Sequence, residues 1–147
     1  MVLPFAPTDE AWTIETPEGS AVIWFPAPGI AAARLTGVAT GEVARRAYEL
    51  TDLQAPVPLL GFLDMYESTG FEWEARGRAL KWNISHLSPK MMLHILVRTP
   101  PLVLAMKVFR RALEDHVEIH TDRATFASAY NLTMKRRTRA ASYPPGR

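Results

Sequence analysis

The residues of this chain best placed to do chemistry form the run Glu67-Ser68-Thr69-Gly70-Phe71. An apolar stretch precedes it, and Phe71, Ala75, Ala79 and Trp82 recur at helical spacing toward His86. The spacing predicts a helix whose first turn holds Ser68 and Thr69. Free backbone N–H groups and the positive end of a helix dipole converge at such a turn. A phosphate on either hydroxyl would be held by those donors and would bring about two negative charges to the surface. The same residues also allow a purely structural reading. Thr69 and Glu72 have the spacing of a capping box and Ser68 is an equally good cap, worth roughly 0.5–2 kcal/mol. Both readings stay open on the residues alone.

Other candidates are weaker. His116, Glu118 and His120 alternate, so on a strand they share one face, with Asp115 and Asp122 nearby. That face reads as solvated and nothing fixes three converging ligands, so no metal and no cofactor is expected. His94, inside an apolar run, reads as a hydrogen-bonded core histidine. An enzyme would need His94, His86 and Asp64 in one cleft. No phosphate loop, nucleophile elbow, dinucleotide fingerprint or zinc spacing occurs, so no catalytic residue is assigned and a non-enzymatic role is expected. Met65, Met91, Met92, Met106, Trp24 and Trp82 could line an apolar cavity or fill core gaps. Trp73 and Trp82, nine residues apart, lie about 180° out of phase at 3.6 residues per turn. One is expected inside, the other at a helix edge where tryptophan anchors interfaces.

These side chains must be positioned by an alternating series of elements. Trp12, Ile14 and Thr16 alternate with polar residues, Pro17-Glu18-Gly19 supplies a turn, and Ala21 to Phe25 is apolar, which together signal a hairpin. Ile30 to Val38 reads as a third strand. From Gly41, Val43, Ala47, Leu50 and Leu53 mark a helix closed by Pro56 and Pro58, and Leu59 to Met65 a buried strand. Met91 to Val97 has the two-sided hydrophobicity of a central parallel strand. Thr99-Pro100-Pro101 opens a helix striped by Leu102, Met106, Phe109 and Leu113. Val117 to His120 is a short strand, and Thr121-Asp122 caps a last helix through Phe126 and Tyr130. The fold class expected is α/β: a mixed, mostly parallel sheet of five to six strands with an N-terminal hairpin and about four helices. The domain is expected over residues 11–134, with a flexible lead-in at 1–10 and a basic, disordered tail at 135–147.

Bulk composition agrees. The 147 residues are 48% hydrophobic and 22% charged, the balance of one globular domain with a core of its own. There is no cysteine, which excludes disulfides and thiolate metal sites and fits a reducing compartment. No signal peptide or membrane span is apparent, so a cytoplasmic location without membrane insertion is expected. The net charge of +2 comes from Lys135, Arg136, Arg137, Arg139 and Arg147, the preceding residues being mildly acidic. A nucleic-acid partner is therefore not expected. An edge strand near Trp12 invites pairing with a second copy as a homodimer.

Two segments resemble the STAS family, which includes bacterial anti-sigma-factor antagonists of the SpoIIAA kind. Arg34-Leu35-Thr36-Gly37-Val38, followed by an amphipathic helix, is similar to the family's strand that feeds its first helix. Glu67-Ser68-Thr69-Gly70-Phe71 resembles the Asp-Ser-Ser-Gly-Leu signature, with Glu67 in place of the aspartate. The element order from Trp12 to Asn131 also matches. The resemblance implies a signalling module that docks a protein partner such as an anti-sigma-factor-like kinase. Ser68 or Thr69 would be the phosphoacceptor, and Glu67, Gly70, Phe71 and Trp73 would contribute to the docking surface. The alternative it leaves open is an apolar-ligand or lipid-binding domain of the same fold.

Overall fold

The computed structural model describes residues 4–55 and 60–141, the side chains of 138–141 excepted. Strands β1 (Trp12–Glu15), β2 (Gly19–Ala27) and β3 (Ile30–Ala39) open the chain. Helix α1 (Gly41–Gln54), β4 (Leu60–Phe71), α2 (Trp73–Ser85), β5 (Met92–Leu96), α3 (Pro100–Leu113), β6 (Val117–His120) and α4 (Arg123–Ala141) follow, with one 3-10 turn at Glu114–His116. The six strands lie in the order in which they occur, β1-β2-β3-β4-β5-β6. The first three pair antiparallel, and β3 to β6 pair parallel. The expected mixed, mostly parallel sheet with its opening hairpin and four helices is what forms. Pro56, Pro58 and Leu59 lie outside the described residues.

The connectivity decides which face each helix covers. Each crossover β3-α1-β4, β4-α2-β5 and β5-α3-β6 steps the same way along the sheet. Right-handed crossovers that step one way put all their helices on one face. That face buries Ile14, Ala21, Ile23, Leu35, Met65, Ile95, Val97 and Val117 against Val43, Ala79, Leu102, Met106, Phe109 and Leu113. The opposite face has only α4. Phe126 and Tyr130 pack there on Trp24, Ile30, Ala32, Phe62 and Leu96. One helix cannot cover six strands, so this second face also carries polar groups: Arg34, Asp64, His94, Glu118 and His120.

Two boundaries differ from expectation. The lead-in is fastened at Phe5, whose ring lies 4.9 Å from Trp24, 4.8 Å from Phe126 and 5.0 Å from Tyr130. Its carbonyl accepts from Arg34, so residue 5 helps to cover the face that α4 leaves open. The basic segment begins inside α4, which runs to Ala141 rather than ending near Met134. Lys, Arg and Ala are good helix formers, and that local preference outweighs the compositional signal for disorder. Residues 142–147 lie outside the described residues. Among the described residues, no helix is long and apolar enough to cross a membrane.

Candidate functional site

The Glu67-to-Phe71 segment is a strand end, not a turn, which corrects the expected helix start. Strand β4 continues to Phe71, and α2 begins at Trp73 with Glu72 as its cap. Against β3 the strand carries two bulges, the register shifting between Arg34 and Thr36 and again between Gly37 and Val38. Small and polar residues suit such irregularities, which explains why the segment reads as a turn. Ser68 is 1% exposed, and its hydroxyl donates to the Leu35 carbonyl at 3.4 Å. It cannot meet a kinase or a partner in the folded chain. Thr69, at the second bulge, is exposed. The capping box does not form. Glu72 Oε1 instead accepts from Gly41 N at 3.0 Å, serving α1, whose own cap Thr40 accepts from Val43 N at 3.2 Å. Glu67 pairs with Arg123 at 2.9 Å and ties β4 to the start of α4. Gly70 and Phe71 are half-buried, and Trp73 is 79% exposed with Arg76 stacked over its ring.

An apolar cavity of about 120 Å³ lies between the three-helix face of the sheet and α1 and α2. Small residues make it. Ala31 and Ala33 of β3 and Gly61 of β4 form its floor, and Ala44, Ala47, Ala75 and Ala79 its helical wall. Leu63, Leu93, Ile95, Phe71, Met106 and Phe109 close its sides. Leu63 and Leu93 lie on central strands beneath helices, yet they stay only half-buried. Of the methionines and tryptophans expected at such a cavity, Met106 and Trp82 line it, whereas Met65, Met91, Met92 and Trp24 do not. Trp24 packs on the other face of the sheet.

Three polar residues sit at one end: Tyr48, Thr51 and Asn83. Thr51 donates to the Ala47 carbonyl at 2.8 Å. Asn83 Nδ2 donates to the Ala79 carbonyl at 2.7 Å and to the Tyr48 hydroxyl at 3.4 Å. The Tyr48 ring stacks on Trp82 at 4.8 Å, and Trp82 stacks on His86 at 3.9 Å. Asp52 binds this stack from α1, accepting from Trp82 Nε1 at 2.9 Å and lying 3.1 Å from His86 Nε2. Burial pushes the Tyr48 hydroxyl up to about 12, against the lowering effect of its bond to Asn83. A raised phenol pKa means that the fold favours the neutral form. The stability this gives is complete below the ordinary tyrosine value near 10 and is lost as pH climbs through about 12. Absorbance titration is expected to show late tyrosinate formation that Tyr48→Phe lessens, burial raising Tyr130 as well; an unchanged titration would contradict the raised Tyr48 hydroxyl.

The histidines are sorted differently from expectation. His116 lies in the 3-10 turn, its Nδ1 2.8 Å from the Met91 carbonyl, so it does not share the strand face of Glu118 and His120. His94 joins that face instead, with His94 Nδ1 3.1 Å from His120 Nε2. Burial pushes both imidazoles below the ordinary histidine value, partly offset by the Glu118 charge. His94, His86 and Asp64 do not converge. His86 belongs to the α1–α2 stack, and Asp64 is bound by Arg34 Nε at 3.0 Å and by the Tyr66 N–H at 2.9 Å.

An α/β sheet in sequential order, with its opening hairpin and helices packed in this way, defines a protein of SpoIIAA-like fold. Among solved structures, the chain is similar to an uncharacterized protein of the DUF3478 family from Shewanella loihica PV-4, whose crystal structure at 2.25 Å has a SpoIIAA-like fold. The two share 15% identity with a TM-score of 0.59, covering 80% of this chain and 98% of that one. No family model and no curated protein matches the sequence. The likeness is one of fold.

Proposed function

We propose that this chain binds a small, largely apolar ligand in the cavity between the sheet and α1 and α2. One observation carries the reading: leucines on central strands, roofed by helices, remain half-buried because alanines and a glycine leave the space beside them unfilled. The lining is almost wholly apolar, so an occupant of matching character would take that surface out of water. The volume is slightly below the roughly 150 Å³ of an engineered apolar cavity that takes benzene. A ring or a short acyl end fits it. Tyr48 and Asn83 offer hydrogen-bonding groups at one end, which suits a ligand with a single polar head.

Native mass spectrometry of the purified protein, followed by titration with benzene, indole and a medium-chain fatty acid, tests this. Trp82 lines the cavity, so its fluorescence is expected to respond to binding. A ligand-free protein whose Trp82 emission responds to none of the three would defeat the proposal.

A second reading, docking of a protein partner, is favoured by Trp73, a large ring 79% exposed at the start of α2. Exposed tryptophans of this kind anchor interfaces. Thr69, close by in sequence, is the hydroxyl of the original pair that remains accessible, so a kinase acting here would act on Thr69. Capture of an anti-sigma-factor-like kinase that survives Trp73→Ala undiminished would remove this surface.

A further inference from the structure

On the opposite face, His94, Glu118 and His120 form a cluster that no part of the apolar-ligand reading uses. We infer that it is a binding site for a borderline divalent transition ion of the zinc class. His94 lies on β5, and Glu118 and His120 on β6, paired parallel with His94 opposite Glu118. Parallel register with alternation puts all three side chains on one face, the two histidines diagonal to each other. His94 Nδ1 is 3.1 Å from His120 Nε2, Glu118 Oε2 is 3.5 Å from His94 Nδ1, and Glu118 Oε1 is 3.8 Å from His120 Nε2. Taken as one ligand atom each, the three lie within 4.8 Å of one another; ligand atoms about 2.0–2.1 Å from a tetrahedral ion stand roughly 3.3–3.5 Å apart, so a rotation of the exposed Glu118 side chain would close the set.

One of the two rings, that of His120, is also held as metal-binding imidazoles are held. His120 Nδ1 is 3.3 Å from Thr125 Oγ1, and that hydroxyl donates to the Asp122 carbonyl at 3.0 Å. With its proton committed to Asp122, the Thr125 oxygen accepts from His120 Nδ1–H. This fixes the tautomer that turns the Nε2 lone pair toward the cluster, the usual outer contact of a ligating histidine. His94 lies flat on Phe62, ring centroids 4.7 Å apart and 6° from parallel, and His120 meets the edge of Phe126 at 5.7 Å. Without an ion, His94 Nδ1–H donates to His120 Nε2. On binding, the His94 proton is carried on Nε2 instead, so both rings stay neutral.

The exposure of the three groups shapes the site. The histidine side chains are 12% and 6% exposed, while that of Glu118 is 56% exposed on the edge strand β6. Two neutral nitrogens from inside and one carboxylate from the solvent side leave a further position open to water. That is the pattern of open rather than closed zinc sites. Two nitrogens and an oxygen favour zinc, copper, nickel or cobalt over calcium or magnesium.

Titration calorimetry with Zn²⁺, after chelator treatment, is expected to show one ion per chain at micromolar or tighter affinity. Co²⁺ is expected to give visible absorption with nitrogen-ligand character. Glu118→Gln alters an exposed side chain and keeps the fold, so it is the decisive variant. It and His120→Gln are expected to weaken binding by 10- to 100-fold or more, Thr125→Val by about 10-fold, and His116→Asn not at all. Circular dichroism separates loss of the site from loss of the fold. Wild-type protein that takes up no Zn²⁺, or Glu118→Gln that binds as tightly as wild type, would overturn the site and leave a hydrogen-bonded histidine pair with a structural role.

Discussion

Ser68→Asp is expected to unfold the protein, while Thr69→Asp leaves it folded. The two residues are adjacent, yet the bulged end of β4 turns one inward and the other out. Ser68 is 1% exposed, and its hydroxyl has the Leu35 carbonyl as partner. A carboxylate there would face an acceptor rather than a donor, in a site closed to solvent. A buried charge without a partner costs several kcal/mol, and so does the upward pKa shift needed to neutralise it. Against a total stability of about 5–15 kcal/mol, that is enough to depopulate the native state. Thr69→Asp changes an exposed side chain and should stay within about 0.5 kcal/mol of wild type. Urea unfolding followed by circular dichroism compares them; equal midpoints for Ser68→Asp and wild type would show that Ser68 is not buried. A phosphomimetic test at Ser68 that simply lost partner capture would therefore report unfolding, not switching.

Filling the cavity should have the reverse effect on stability and a large effect on binding. Ala47→Leu on α1, or Ala33→Leu on the floor, places a larger apolar side chain in the void. Each is expected to stabilise the chain by about 1 kcal/mol, in the range typical of cavity-filling changes. Each should also weaken the apolar ligand at least tenfold, because the leucine occupies the ligand's volume. Thermal unfolding with and without ligand reads both effects. If both variants lose roughly 1–3 kcal/mol, the cost typical of overpacking, the helices already close on the sheet in solution and the cavity reading fails.

The architecture was largely legible in the sequence because its signals are local. Alternation at Trp12–Thr16, the proline turns, the two-sided hydrophobicity of Met91–Val97 and the caps each report on their own segment. The site was less legible because it depends on which strands become neighbours. Ser, Thr and Gly at 68–70 look the same in a turn and in a bulged strand, and only pairing with β3 decides between them. His94 and His120 are 26 residues apart, and only the parallel register of β5 and β6 brings them together. His116 has the better sequence spacing to His120 but falls in a 3-10 turn. The cavity does have a local sequence signal: alanines at 31 and 33, at 44 and 47, and at 75 and 79 mark surfaces too small to fill the space between them. Of the six methionines and tryptophans expected there, two, Trp82 and Met106, line it.

The sequential strand order bears on how the molecule is made. Each strand hydrogen-bonds the one before it, so no pairing has to wait for a strand made later in the chain. During synthesis the sheet can grow strand by strand, each crossover helix landing at once on the face it protects. The other face must wait. Trp24 and Phe62 have no helical cover until α4, the last helix described, has been made, although Phe5 has been present from the start. The nascent chain is therefore most exposed to aggregation just before α4 is complete, and a truncation that removes α4 would make that vulnerability permanent.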